Sequence, residues 1–424
     1  MSRILIVSNS ALTKSNSNGR TLMNFLGNFP PEDIAQFYIN GQVDGNCCSN
    51  SYKVSDQDAW YAFKHLGKFQ SRDPDEGSVN CDQNGKSQEI KVVKRNCRNM
   101  VLRDVVWRSY FWWNKKFDVF ILKFDPDVVL FQAGDCPFLY YIALKISNKC
   151  NIPLVMYNSE GYVLKPVLYA GSSKKDIWHN ILQKRLRKAY KKMMSCVAYC
   201  FYITEELETC YQEKYPHPNI SSVLYTSTEM PKLEDRSEGT FKLIYCGNLG
   251  VGRIQPLCEI AEVLQDIDSY ATLDVYGSFV NAEDKSRLSV YPNVHYCGRI
   301  PYEKIPDVMS KSNLVIHCEN PDRLDNLKYA FSTKIADCLA SGIPFLVYAS
   351  RGFPFVRYLE EHNACHIAES KLELAEVLLK CKNDDYRFKY VDNAIRLARM
   401  NHNKIRNSAL FYDVIKKVCN ESGN

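Results

Sequence analysis

The chain has 424 residues, of which 46% are hydrophobic and 24% are charged. This composition excludes an intrinsically disordered protein, and the length exceeds what one hydrophobic core usually serves, so we expect two domains. The net charge of +6 is modest, and we expect no nucleic-acid partner. The 17 cysteines are scattered, without the spacing of a zinc site. We therefore expect reduced thiols and no structural metal.

The first residues, MSRILIVSNS, lead directly into an apolar strand and lack the pattern of a secretory signal. No apolar run reaches the roughly 18 residues that a membrane span requires. Basic and aromatic residues are interleaved between Lys91 and Lys116, with Trp112 and Trp113 among them. Such a stretch could lie on the anionic inner surface of a membrane, or its aromatic residues could pack in the core. The sequence thus favours a cytoplasmic protein, with peripheral membrane attachment left open.

The first half alternates short apolar strands with helices, which is the pattern of a parallel α/β sheet. A polar loop at residues 8–18 follows the first strand, and Gly19 lies near the start of the next helix. The segment 70–89 is polar and turn-rich, and it predicts an insertion without regular structure. The predicted strands are residues 4–7, 128–131, 154–157 and 197–203.

The composition turns polar at residues 230–239, and we place an interdomain linker there. The second half then repeats the α/β rhythm up to the helices at the end of the chain. The sequence therefore predicts two doubly wound, Rossmann-like α/β domains that face each other across a cleft, with ligands beyond the carboxyl ends of the strands. The predicted strands of this half are residues 242–245, 272–276, 294–296, 314–316 and 345–348.

The stretch FSTKIADCLASGIPFLVY, residues 331–348, combines a helix start, a lysine, an acid and a helix stop. Ser332 or Thr333 can cap the helix, Lys334 and Asp337 share one face, and Gly342 ends it. A helix N-terminus beside a lysine suits a phosphate, and a carboxylate one turn later suits sugar hydroxyls. The alternative is an ordinary αβ unit with a solvated Lys and Asp.

A second candidate site is YCGNLGVGR, residues 245–253, where a strand leads into three glycines and Arg253. Glycines let backbone N–H groups approach an anion, and the guanidinium of Arg253 can bind phosphate oxygens. The glycine order differs from that of a dinucleotide-binding fingerprint, and the next strand ends at Gly277 without a ribose-binding acid. A glycine turn without function is the alternative.

Four stretches of the second half follow one another in the order YCGNLGVGR, LDVYGS, VHYCGRIPYEKIPDVMSKSNLVIH and STKIADCLASGIPFLVY. Taken in this order, they resemble the retaining glycosyltransferases of the GT-B fold, the group 1 or family 4-like enzymes. That family builds bacterial capsules, exopolysaccharides and lipopolysaccharide. The resemblance covers most of residues 240–370. The first half resembles the acceptor domain of the family in outline, through ILIVSNS, the loop at Asn18 and Gly19, and YNSEGY.

The resemblance implies an acceptor-binding domain at residues 1–232 and a nucleotide-sugar domain at residues 240–400, with a helix at 401–424 that could pack back on the first domain. It assigns Arg253 and Lys334 to the leaving diphosphate. Glu160 could orient the acceptor hydroxyl, and the alternative is a loop carboxylate without a role. The implied donor residues are Gly247, Asn248, Gly250, Arg253, Gly277, Ser332, Thr333, Lys334 and Asp337. The implied acceptor residues are Ser10, Asn18, Gly19 and Glu160.

The chain departs from the family pattern at its acidic residues. Asp337 takes the place of the second acid of the E-x(7)-E motif, the first acid falls on Tyr329, and the second basic residue after Arg253 is missing. Glu319 lies too early for the motif, although it could reach the cleft from the end of a strand.

The predicted function is transfer of a sugar from a nucleotide diphosphate sugar to a hydroxyl of a glycan or lipid-linked acceptor, in surface polysaccharide synthesis, with retention, no metal and no cofactor. The alternatives are a non-catalytic GT-B-like partner in a polysaccharide assembly complex and a sugar-nucleotide 2-epimerase.

Overall fold

The structure is a computed structural model that describes residues 2–13, 17–67, 96–168, 176–217 and 220–422. The chain forms two compact units, of which the first comprises Met1–Leu224 with Ser408–Asn424 and the second Tyr225–Asn407. In this division of the chain, the predicted linker at residues 230–239 lies within the second unit. The predicted insertion at residues 70–89 lies outside the described residues, and so do residues 91–95 of the basic and aromatic stretch.

The sheet of the first unit consists of seven parallel strands among the described residues, in the order β3-β2-β1-β4-β5-β6-β7. Its central strands are buried along their whole length, which explains why they are continuous apolar runs without alternation. The strands are β1 Ile4–Val7, β2 Ile34–Tyr38, β3 Asn50–Lys53, β4 Val128–Gln132, β5 Leu154–Asn158, β6 Tyr199–Tyr202 and β7 Ser221–Val223.

The helices of the first unit begin at polar residues that cap them. Asn96, Asn114, Asp176 and Thr204 each accept a hydrogen bond from a backbone N–H of the first turn, and Ser55 forms a capping box with Asp58. The helices are α1 Ser17–Phe25, α2 Asp56–Lys64, α3 Cys97–Arg108, α4 Lys115–Phe124, α5 Pro137–Cys150, α6 Ile177–Met194 and α7 Glu205–Lys214.

The second unit has a sheet of six parallel strands among the described residues, in the order β10-β9-β8-β11-β12-β13. Its core lies between this sheet and α8, whose inner face buries Leu257, Ala261 and Leu264. The strands are β8 Lys242–Cys246, β9 Thr272–Tyr276, β10 Val294–Gly298, β11 Leu314–Cys318, β12 Phe345–Tyr348 and β13 His366–Ala368. The helices are α8 Ile254–Ile267, α9 Ala282–Leu288, α10 Ile305–Met309, α11 Leu324–Leu327, α12 Thr333–Ser341, α13 Pro354–Glu361, α14 Lys371–Lys380, α15 Asp384–Arg387, α16 Val391–Asn401 and α17 Lys404–Ser422.

Each sheet reverses its strand order once, between β1 and β4 in the first unit and between β8 and β11 in the second. Connections that leave two neighbouring strands toward opposite faces of a sheet open a crevice at their carboxyl ends, which is where doubly wound folds bind ligands. The predicted α/β class with two Rossmann-like domains is confirmed. The crevice of the second unit lies where β8 and β11 end, at Cys246 and Cys318.

Four strands were not predicted, namely β2, β3, β7 and β13. Strand β2 escapes a search for apolar runs because Gln36 lies in its middle. The Gln36 side chain is fully buried, donates to Ser8 Oγ and to the carbonyl of Ser10, and accepts from the N–H of Leu12. The other three strands are short and partly polar.

The aromatic part of the basic stretch is divided between core and surface. Trp112 is 0% exposed and packs against Phe37 and Phe117, so it belongs to the core and cannot also lie among lipid headgroups. Trp113 donates its indole N–H to Asp118, whereas Phe111 is exposed. In the described part of the chain, no helix is both long enough and apolar enough to cross a bilayer.

Candidate functional site

The turn after β8 brings the ends of two strands into close contact through glycines. The N–H of Gly247 donates to the carbonyl of Tyr276 at 2.8 Å, and the N–H of Gly277 donates to the carbonyl of Gly298 at 2.9 Å. A Cβ on Gly277 would overlap the carbonyl oxygen of Gly247. Gly277 is therefore required by the packing of the strand ends, whatever ligand binds there.

The loop that follows contains a strained backbone. Val251 has a φ of 62° and Gly252 a φ of 83°. The left-handed region suits glycine but disfavours a β-branched residue such as valine, and such outliers concentrate at functional sites. Asn248 supports the loop by accepting the N–H of Gly250 at 2.8 Å. This loop leads directly to Arg253, the residue before α8.

Arg253 forms a buried two-point ion pair with Glu319, which follows β11. Its Nε donates to Oε2 at 3.0 Å and its Nη2 to Oε1 at 2.5 Å. The two side chains are only 11% and 5% exposed. Since β8 and β11 are neighbours at the point where strand order reverses, the pair spans the crevice that the topology creates.

Lys334 lies in the first turn of α12 and reaches back over the end of β8. Its Nζ donates to the hydroxyl of Tyr245 at 3.0 Å and lies 4.2 Å from the centre of that ring. A Cβ on Gly247 would come within 2.6 Å of Lys334 Cδ, so a larger residue there would push the end of the lysine side chain out of this position. Ser332 occupies the capping position of the helix, but its side chain makes no capping hydrogen bond, and Gly342 ends the helix with a φ of 76°.

The charges of this site do not cancel. The charges of Arg253 and Glu319 balance each other. Burial acts to raise the pKa of Glu319, but His317 and Arg253 lower it to about 2, so Glu319 is a carboxylate at neutral pH. Burial lowers the pKa of Lys334 to about 8, with repulsion from Arg253 adding to the effect. Among the described residues, no carboxylate oxygen lies within 4.0 Å of Lys334 Nζ. The crevice therefore holds one cation that lacks an anion.

His317, near the end of β11, is a further buried group at this site. Its side chain is 1% exposed, and Nε2 lies 3.4 Å from Glu319 Oε1, close enough to favour the carboxylate although the contact lacks hydrogen-bond geometry. Among the described residues, Nδ1 has no hydrogen-bond partner. Burial lowers its pKa to about 4, so the ring is neutral at pH 7. A neutral imidazole here leaves the positive charge of Lys334 unchanged.

Asp337 is buried one turn after Lys334, and its carboxylate is already engaged. Its Oδ1 accepts from Thr228 Oγ1 at 2.5 Å and from the hydroxyl of Tyr302 at 2.8 Å. This carboxylate holds α12 to two other segments of the second unit. Its assignment to a ribose remains a prediction.

The predicted acceptor residues lie in the first unit, around the carboxyl ends of β1 and β5. Ser10 follows β1, and its carbonyl accepts from Ser8 and Gln36. Asn18 and Gly19 lie in α1, and a Cβ on Gly19 would meet the backbone of Thr13 at 2.6 Å. Glu160 follows β5 and forms an ion pair with Lys165. Among the described residues, Ser10 and Glu160 share no hydrogen bond or ion pair.

Sequence reasoning missed Tyr245 and His317 and set Glu319 aside on spacing. Tyr245 and His317 are the next-to-last residues of β8 and β11, and Glu319 comes directly after β11. The signal that could have found them is strand order, because the ends of the two strands at the reversal point meet in space. The described residues contain no group of three or more His, Cys, Asp or Glu side chains that could hold a metal ion.

Comparison with known proteins agrees with this architecture. A family model described as "Glycosyl transferase-like" matches residues 255–409. A search of curated proteins finds no sequence relative.

The full chain is similar to several solved structures. HepE from Anabaena, solved with UDP and glucose, has 11% identity over 98% of this chain and 100% of its own, with a TM-score of 0.62. Sucrose-phosphate synthase from Thermosynechococcus elongatus has 10% identity over 99% of each chain, with a TM-score of 0.65. Trehalose 6-phosphate synthase from Burkholderia multivorans has 10% identity over 100% of this chain and 99% of its own, with a TM-score of 0.60. At these identities the likeness shows the fold, which is of the GT-B type.

Proposed function

We propose that this protein is a glycosyltransferase that moves a sugar from a nucleotide diphosphate sugar to an acceptor hydroxyl. The observation that carries the proposal is the cation of Lys334, which lies without an anion beside Arg253 at the strand-order reversal of the second unit. Doubly wound folds bind phosphorylated ligands at such a point. The match to a glycosyl transferase-like family model and the UDP in the HepE structure support this choice of ligand class.

The chemistry required of the site is stabilisation of a leaving group. When the bond between the sugar and the diphosphate breaks, negative charge grows on the phosphate oxygens, and fixed positive charges lower the free energy of that transition state. Lys334 supplies one such charge. Arg253 contributes guanidinium N–H donors and no net charge, because Glu319 already balances its charge and fixes its plane before the donor arrives. We assign no enzymic nucleophile, and we propose that the anomeric configuration is retained.

The acceptor side of the proposal involves the first unit. Glu160 would orient the acceptor hydroxyl, with Ser10, Asn18 and Gly19 flanking it. We propose a glycan or a lipid-linked sugar as the acceptor and surface polysaccharide as the product, made at the cytoplasmic face of a membrane. The proposed reaction uses no metal and no cofactor.

Calorimetric titration with UDP, GDP, ADP and CMP tests the donor site. We expect one nucleoside diphosphate to bind, and we expect Arg253→Ala and Lys334→Met each to weaken it by roughly 10- to 100-fold, because each removes a charge-assisted hydrogen bond of about 1.5–3 kcal/mol. Lys380→Met, a change of the same type on the exposed face of α14, should leave the affinity unchanged.

A second measurement separates transfer from the alternative functions. Incubation with the matching nucleotide sugar should release the nucleoside diphosphate only when an acceptor is present. Interconversion of the sugar without release would identify an epimerase instead. If no nucleoside diphosphate binds, the donor site does not exist and the non-catalytic role is the correct one.

A further inference from the structure

Helix α6 of the first unit carries an unbalanced positive charge. Its sequence, Ile177–Met194, contains no Asp or Glu. Arg185 forms an ion pair with the buried Asp104 of α3 at 2.8 Å. The other Lys and Arg side chains of the helix are exposed, and in the described part of the chain no carboxylate oxygen lies within 4.0 Å of their nitrogens. These residues are Lys184, Arg187, Lys188, Lys191 and Lys192.

These cations share one face of the helix. Lys184, Lys188 and Lys191 recur at intervals of four and three residues, so their side chains lie one above another. The opposite face is buried in the first unit through Leu182 and Leu186. A basic face in water is by itself an ordinary feature of a helix, and the helix that packs beside α6 gives it further meaning.

Helix α3 lies alongside α6 and extends the basic surface. The guanidinium of Arg98 lies 5.9 Å from the centre of the Trp178 ring, and one to two turns later Asp104 pairs with Arg185. The two helices therefore run side by side in the same direction. Asp104 is the only acid within Cys97–Arg108, and it is fully buried. Helix α3, like α6, thus presents no carboxylate of its own to the solvent.

Apolar side chains are exposed among these cations. Leu102 and Val105 of α3 are 44% and 42% exposed, and Ile177 at the start of α6 is 68% exposed. Leu102 and Val105 lie within two turns of the exposed Arg98, on the same outer face of α3. At the surface of a bilayer, apolar side chains enter the boundary between headgroups and acyl chains while Lys and Arg contact anionic headgroups. A nucleic-acid backbone would use the cations and leave the apolar side chains in water.

We propose that the outer faces of α3 and α6, here called the α3–α6 surface, dock the protein on an anionic lipid bilayer. Charge complementarity identifies the occupant, because a cluster of four to eight Lys and Arg residues is the feature that anionic lipids attract. The surface differs from the aromatic run around Trp112, which belongs to the core. This inference rests on the proposed function for one point, that the acceptor is at a membrane.

Sedimentation of the full chain with lipid vesicles tests the assignment. The vesicles are pure phosphatidylcholine, or a mixture in which about a third of the lipid is phosphatidylglycerol. We expect binding to the anionic vesicles that weakens as salt is added, and at least tenfold weaker binding to the neutral ones. Lys184→Gln/Lys188→Gln/Lys191→Gln should weaken binding to the anionic vesicles by at least 30-fold, because each cation near such a surface contributes roughly fivefold. Leu102→Ser/Ile177→Ser should weaken it by about fivefold or more, because the apolar side chains that enter the bilayer are lost.

Lys380→Gln/Lys416→Gln/Lys417→Gln is the matched control, because it removes the same number of charges from exposed positions of α14 and α17. It should bind the anionic vesicles as the wild type does, and circular dichroism verifies that each variant is folded.

The inference is overturned if the wild type binds neither kind of vesicle or binds both alike, or if either folded variant of the α3–α6 surface binds as the wild type does. Tighter binding to a DNA duplex than to the anionic vesicles, unaffected by Leu102→Ser/Ile177→Ser, would overturn it in favour of a nucleic acid. Calorimetry with the nucleoside diphosphates is independent of the vesicles, and failure of all of them to bind would instead overturn the proposed function.

Discussion

Replacing Lys334 with methionine should stabilise the unliganded protein while it removes donor binding. Methionine keeps the length of the side chain and removes its charge. Burial lowers the pKa of Lys334 from the ordinary 10.5 to about 8. A change of one in pKa corresponds to about 1.36 kcal/mol, so keeping this amine protonated in the folded state costs roughly 3 kcal/mol at pH 7. We expect Lys334→Met to recover about 1–3 kcal/mol of the free energy of unfolding.

The pH dependence of stability gives the same reasoning a second test. Between pH 8 and 10.5 the unfolded chain still binds a proton at Lys334 and the folded protein has released it. The free energy of unfolding therefore rises with pH in this window. The cost of keeping the buried Lys334 amine protonated is fully present below pH 8 and is gone above pH 10.5. The advantage of Lys334→Met over the wild type should therefore shrink toward zero as the pH rises from 8 to 10.5.

Urea unfolding at pH 7 and at pH 10, followed by circular dichroism, measures both effects, and calorimetry with the nucleoside diphosphate measures the loss of binding. Lys380→Met serves as the control, because that lysine is exposed and its replacement should change neither quantity. A Lys334→Met variant that is less stable than the wild type at pH 7, or one that binds the diphosphate normally, would refute the charge argument.

Three further changes test other parts of the structure. Gly247→Ala should weaken nucleoside diphosphate binding about tenfold or more in calorimetry, because the added methyl group displaces the side chain of Lys334. Glu319→Gln should lower the free energy of unfolding by roughly 3 kcal/mol at pH 7, because it breaks a buried ion pair. Its deficit in urea unfolding should shrink as the pH falls from 4.5 toward 2, where the wild-type carboxylate also becomes protonated. Trp112→Ala should lower the free energy of unfolding by about 3–5 kcal/mol, whereas Trp60→Ala at an exposed position should change it by less than about 1 kcal/mol. Equal effects of the two tryptophans would contradict the core assignment.

Much of the fold could be predicted because buried parallel strands are continuous apolar runs. Strands β4 and β5 are of this kind, and they lie within a residue of their predicted bounds. Strand β2 is not, since a buried glutamine interrupts it. The sequence also identifies Lys334 as a candidate site residue, because its position at the start of a helix is a local property.

The ion pair of Arg253 with Glu319 could not be predicted in this way. The two residues are separated by 66 positions, and they meet only because β8 and β11 are neighbours where the strand order reverses. Trp112 was ambiguous for a related reason. A mixed run of aromatic and basic residues has the same composition on a membrane surface as at the edge of a core, and the two differ only in what packs against the rings.

The last helix, α17, bears on the order in which the protein can fold during synthesis. Phe411, Ile415 and Val418 belong to the same hydrophobic core as Ile4 and Phe25 in the first unit. The ribosome makes these three residues after every residue of the second unit. The second unit, a continuous segment, can fold as soon as it emerges, whereas the first unit keeps an unfilled gap in its core until translation reaches α17. The half of the protein that is made first is therefore the half that is completed last.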